Sequence, residues 1–125
     1  MKYLGDVPVS SVIRGFFNTR TAAGAPVTLG GTPALSVYKS NSTTQTTTGI
    51  SLTVDFDSLT GLHFFTIDTS ADGTFYSTAT DFRVVITTGT VDSISVVGVE
   101  VACFSIENRS ALRPTTAGRT LDVSS

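Results

Sequence analysis

With 125 residues, 40% of them hydrophobic and only 14% charged, the chain is long enough to bury one core and too apolar to remain unfolded. A net charge of −2 gives no electrostatic case for nucleic acid or an anionic membrane as partner, and no apolar run approaches the roughly 20 residues of a spanning helix. Ser and Thr supply the polar share, in runs such as Ser42-Thr43-Thr44 and Thr46-Thr47-Thr48, while Glu, Lys and Gln are scarce, a balance that suits pleated strands better than helices.

The opening Met1-Lys2-Tyr3-Leu4-Gly5-Asp6 lacks the continuous apolar stretch of a secretory signal. Period-2 alternation then dominates, with noisier strands expected over residues 12–17 and 34–39. The cleanest alternation is Ile50-Ser51-Leu52-Thr53-Val54-Asp55-Phe56, which places Ile50, Leu52, Val54 and Phe56 on one face. Residues 62–68 read as the next strand, and Phe82-Arg83-Val84-Val85-Ile86-Thr87 turns Phe82, Val84 and Ile86 inward. Residues 95–106 make a run long enough to need a bend, for which Gly98 is suited. Turn signals separate these runs at Ala23-Gly24-Ala25-Pro26, Gly30-Gly31-Thr32-Pro33, Asp57 to Gly61, Ala71-Asp72-Gly73 and Thr88-Gly89. Only residues 70–80 have room for a helical turn. The expectation is an all-β, immunoglobulin-like antiparallel sandwich of about seven strands over residues 1–108.

Residues 109–125 differ. They hold three of the eight basic residues, a proline and few large apolar side chains, and read as an extended C-terminal arm. Arg109, Leu112, Arg113, Arg119, Leu121 and Val123 are the residues it offers to a partner.

The chemistry of catalysis is thinly represented. A nucleophilic triad would have to use His63, the single histidine, and no Gly-x-Ser-x-Gly elbow is present. One Cys and one His fall short of a zinc site, and Cys103, within Val99-Glu100-Val101-Ala102-Cys103-Phe104, reads as a buried thiol with no internal disulfide partner. Asp55 and Asp57, or Asp68 with Asp72-Gly73, do not match a spaced calcium loop and are ordinary turn residues. The Phe75-Tyr76 pair offers a small sugar platform or, more simply, core packing; tryptophan is absent. The reading is therefore no catalytic residue, no metal and no cofactor.

Several short motifs recur in a familiar order: Ser36-Val37-Tyr38-Lys39, Gly49 to Asp57, Thr60-Gly61-Leu62-His63, Ile67-Asp68-Thr69-Ser70, Phe75-Tyr76, Asp81-Phe82, Val96-Val97-Gly98 and Phe104 to Arg109. Together they resemble a structural module of tailed-bacteriophage virions, similar to the N-terminal immunoglobulin-like domain of baseplate upper proteins and tail fibres. The resemblance spans about residues 4–123 and contains no catalytic signature. It implies a non-enzymatic tail, baseplate or fibre-type attachment or adaptor module, present in several copies and bound to other virion proteins after synthesis in the host cytoplasm. Two alternatives accompany it: a capsid (head) decoration protein, and a host-glycan binding module.

Overall fold

The computed structural model describes residues 2–108; residues 109–125, including all six arm residues named above, lie outside that range. Nine strands form two sheets: β1 Lys2–Val7, β2 Val12–Asn18, β3 Gly30–Lys39, β4 Gln45–Thr46, β5 Ile50–Thr53, β6 Leu62–Asp68, β7 Thr80–Val91, β8 Ile94–Ser95 and β9 Glu100–Ile106. Seven of the nine are longer than two residues, which matches the expected number. The larger sheet runs β1-β9-β7-β3-β4, with β8 also on β7, and the smaller runs β2-β6-β5. This two-sheet order is that of an immunoglobulin-type sandwich, with β2, β6 and β5 in the places of strands B, E and D and β9, β7 and β3 in those of G, F and C.

Two apolar faces close on each other because alternation gives every long strand one inward set. Val37, Phe82, Val84, Phe104 and Ile106 from the large sheet meet Ile13, Phe17, Phe65 and Ile67 from the small one, all of them buried. Phe82 and Phe104, paired across β7 and β9, stack with centroids 5.0 Å apart. Each fully buried side chain of this size contributes about 1.5–3 kcal/mol through removal from water.

Three expectations are corrected. The sandwich is not wholly antiparallel: β1 pairs with β9 in parallel, Tyr3 opposite Cys103 and Val7 opposite Ile106. A parallel pair needs a long connection, and here the rest of the sandwich is that connection. Gly30-Gly31 and Thr88-Gly89 are not turns; they lie inside β3 and β7. Thr90 explains Gly30 and Gly31, since a Cβ on Gly31 would come within 3.1 Å of its side chain, and Leu29 explains Gly89, where a Cβ would lie 3.1 Å from its Cδ1. Cys103 is half-buried rather than buried, because Ala102 and Phe104 take the inward positions on either side of it.

The long run over residues 95–106 divides as its length required. β8 ends at Ser95 and β9 starts at Glu100, and Gly98 between them has a left-handed φ of 96°. The helical turn expected within residues 70–80 is a 3-10 turn at Thr69–Asp72, capped by Asp68, whose side chain accepts from the Ser70 amide.

Candidate interaction surfaces

The single histidine has its polar atoms fully engaged inside the protein. His63 points inward from β6, and its Nδ1 accepts from the Asp55 amide at 3.2 Å. That bond leaves the ring proton on Nε2, which donates to Thr19 Oγ1 at 2.7 Å. The Thr19 hydroxyl in turn donates to the Val27 carbonyl. A nucleophilic triad runs the other way, with Nδ1–H donating to a carboxylate and Nε2 accepting from the hydroxyl. Here the hydroxyl proton is committed to a carbonyl, so the arrangement ties the β2–β3 and β5–β6 loops to strand β6.

Asp55 is the hub of that tie. Its carboxylate accepts from Thr28 Oγ1 at 2.6 Å and from the Gly61 amide at 2.9 Å. Those two bonds hold its carboxyl below the usual range, against a smaller opposing effect of burial, and the nearby His63 adds the least. Burial pushes His63 below its ordinary value, against the pull of Asp55.

Phe75 and Tyr76 form no platform. Both are buried, and Tyr76 donates its hydroxyl to the Thr48 carbonyl at 2.9 Å, pinning the β4–β5 connection to the corner that precedes β7. Burial first, and then Asp72, raise the phenol well above its ordinary pKa. Core packing is their role.

The outward-facing aromatic group lies elsewhere. Phe16 on β2 sits opposite Phe64 on β6, on the outer face of the small sheet, with centroids 4.9 Å apart. Phe56 completes the group at 5.4 Å from Phe16 and 5.1 Å from Phe64. The alternation in residues 50–56 placed Phe56 inward with Ile50, Leu52 and Val54. The strand stops at Thr53, and Asp55, with a left-handed φ of 52°, swings the next residue to the outer face. Phe16 keeps 38% of its surface in water. The signal for this cluster was present in the doublets Phe16-Phe17 and Phe64-Phe65: adjacent residues in a strand face opposite ways, so one ring of each pair must point out.

A second apolar surface lies at one end of the sandwich. Ile94, Val97 and Val99 are 70%, 60% and 47% exposed, on β8 and the loop into β9. Beside them a slot of about 360 Å³ opens between the sheets, where β2 ends and β1 and β9 begin. Phe17, Ile86 and Val101 line its depth, and Lys2 and Arg20 stand among its lining residues.

Among the described residues no group of three His, Cys, Asp or Glu could hold a metal ion, and no helix is long and apolar enough to cross a membrane. The fold and surfaces define a two-sheet β-sandwich with apolar side chains on an outer face and at one end. Comparison with family models, curated proteins and solved structures found no match to this chain.

Proposed function

We propose that the chain is a non-enzymatic structural module of a tailed-phage virion, an attachment or adaptor piece of the tail, baseplate or fibre type. The observation that carries the surface-binding part of this reading is the placement of apolar side chains on the outside of a well-packed body: Phe16, packed on the half-buried Phe56 and Phe64, on one sheet and the exposed Ile94, Val97 and Val99 at one end. Contiguous exposed apolar patches are a mark of protein–protein contact. The assignment to a phage particle rests on the motif order set out above, with which the immunoglobulin-type strand order agrees.

Such a module works through many weak contacts made together rather than one strong one. Its partners are other virion proteins and further copies of itself. Capsid decoration would use the same kind of surface and differs in location. The glycan-binding alternative has lost the Phe75-Tyr76 platform, both rings being buried.

Tagged protein expressed during infection should co-purify with intact particles, and antibody labelling should mark the tail. Label on the head would favour decoration. Particles free of the tagged protein, with all of it left in the soluble fraction, would contradict the virion role.

A further inference from the structure

The slot between the sheets has no described side chain filling it, and its position relative to the chain's exit is informative. Phe17, Ile86 and Val101, core residues all, line its depth, and Val99 lies half-exposed among its lining. A volume near 360 Å³ lies at the low end of ligand-binding cavities and suits about two aliphatic side chains. Lys2 and Arg20 bring positive charge to it, while Glu100 on the same rim is turned to Arg83 at 3.9 Å.

We propose that this slot receives residues 121–123 of a second copy of the chain, Leu121 and Val123 entering it and Asp122 meeting the Lys2 and Arg20 charges at the rim. This rests on the reading of the chain as a multi-copy structural module. In an extended segment, residues two apart point the same way and the one between points back. Leu-Asp-Val therefore presents two aliphatic groups to the slot and one carboxylate to its basic edge.

The direction in which the described chain leaves the sandwich favours a second copy. Glu100 stands at the slot, and β9 runs from there to the opposite end of the sandwich, where the Asn108 amide and side chain bond Asp6 at 2.9 Å and Asp81 at 2.9 Å. The strand thus carries the tail about 20–25 Å away from its own slot. Residues 109–121 span at most about 45 Å, enough to reach a molecule placed ahead in line. Their own slot lies within that reach but behind the strand's direction, so filling it requires the chain to reverse and run back along the full length of β9. Head-to-tail contact of this kind is heterologous, so it builds a ring or a stack.

The nine strands and the buried core of the described chain lie within residues 2–108, so a chain of residues 1–108 should keep the folded body, which circular dichroism and chemical denaturation check before binding is measured. The test measures binding of a fluorescein-labelled peptide of residues 109–125 to that body by anisotropy. Saturable binding is expected, with a loss of at least tenfold for the peptide carrying Leu121→Ser and Val123→Ser. A similar loss is expected for Val99→Glu in the body, whose fold circular dichroism should show unchanged because Val99 is half-exposed and lies outside the buried core. Excess peptide should also lower the mass of the full chain in light scattering. Absence of binding, or binding indifferent to Val99→Glu, would overturn the slot. A full chain that stays monomeric and refuses the peptide while residues 1–108 accept it would place the tail in its own slot and overturn the second copy. Because particle incorporation is measured separately, a failed slot with normal incorporation leaves the virion reading standing, and the reverse result removes that reading alone.

Discussion

Nε2 of His63 lies 2.7 Å from Oγ1 of Thr19, and the proton between them belongs to the histidine. Its other nitrogen is occupied by the Asp55 amide, so a second ring proton would meet a donor head-on. The ring should therefore remain neutral below the ordinary histidine value, and as the single histidine it gives unambiguous nitrogen-15 spectra. The expected spectrum is the Nε2–H tautomer with a depressed pKa, consistent with its burial.

A consequence for stability follows from that depression. Below about pH 6.5 the unfolded chain takes up a proton that the folded chain refuses, so stability falls as pH drops from that value toward the folded pKa. Asp55, held low in the folded state, adds its own loss only below its ordinary value of 3.8. From about pH 6.5 downward, above the range in which Asp55 titrates, the decline should thus carry the histidine's signature. Urea midpoints should fall across that window, and the fall should shrink in His63→Ala. That variant should itself be less stable by about 2–5 kcal/mol, from the cavity and the unpaired Asp55 and Thr19 groups. A pH dependence unchanged by the substitution would contradict the assignment.

Gly15 is a steric requirement of the core. It faces Phe65 across β2 and β6, and a Cβ there would lie 2.6 Å from Phe65 Cζ. The ring is fully buried and has no room to swing away. Gly15→Ala should cost about 1–3 kcal/mol by overpacking, measured by chemical denaturation. Combining it with Phe65→Leu should recover part of that loss, because the colliding ring edge is gone.

Two phenylalanines should separate stability from association. Phe82→Ala empties a site stacked against Phe104 and should cost about 3–5 kcal/mol. Phe16→Ser, on the outer face, should change stability by under about 1 kcal/mol and reduce binding to partner proteins in particle extracts. Equal effects of both substitutions on folding would place Phe16 in the core after all.

The parallel edge strand depends on a small polar joint. Ser105 Oγ donates to Asp6 Oδ1 at 2.6 Å and lies 3.0 Å from the Tyr3 hydroxyl, and the Asn108 amide bonds the same carboxylate at 2.9 Å. Asp6→Ala should therefore speed amide hydrogen exchange throughout β1 and leave β7 protected. Unchanged exchange in β1 would show that backbone pairing alone holds it.

The sequence revealed what alternation encodes and missed what distant neighbours impose. Residues 62–68 form a strand with the bounds expected, and Phe82, Val84 and Ile86 point inward, because one wet face and one dry face leave a period of two. The bend at Gly98 was legible for the same reason: a run that long cannot stay flat. Gly30-Gly31 misled because glycine serves both turns and close approach, and only the partner strand's Thr90 decides between them. β1 was invisible because its partner β9 lies at the other end of the chain. The aromatic group was half-legible from its doublets, but bringing Phe56 to it required the left-handed turn at Asp55. The arm residues lie outside the described range, so the slot was found from its lining alone.

The most direct test of the central claim, that this is a multi-copy module acting through its surfaces, is the mass in solution of the full chain beside a form lacking residues 110–125. Multi-angle light scattering across a range of concentrations should show a trimer or larger assembly for the full chain and a folded monomer for the shortened one. A full chain that remains monomeric at every concentration, and does not assemble when particle proteins are added, would contradict the account.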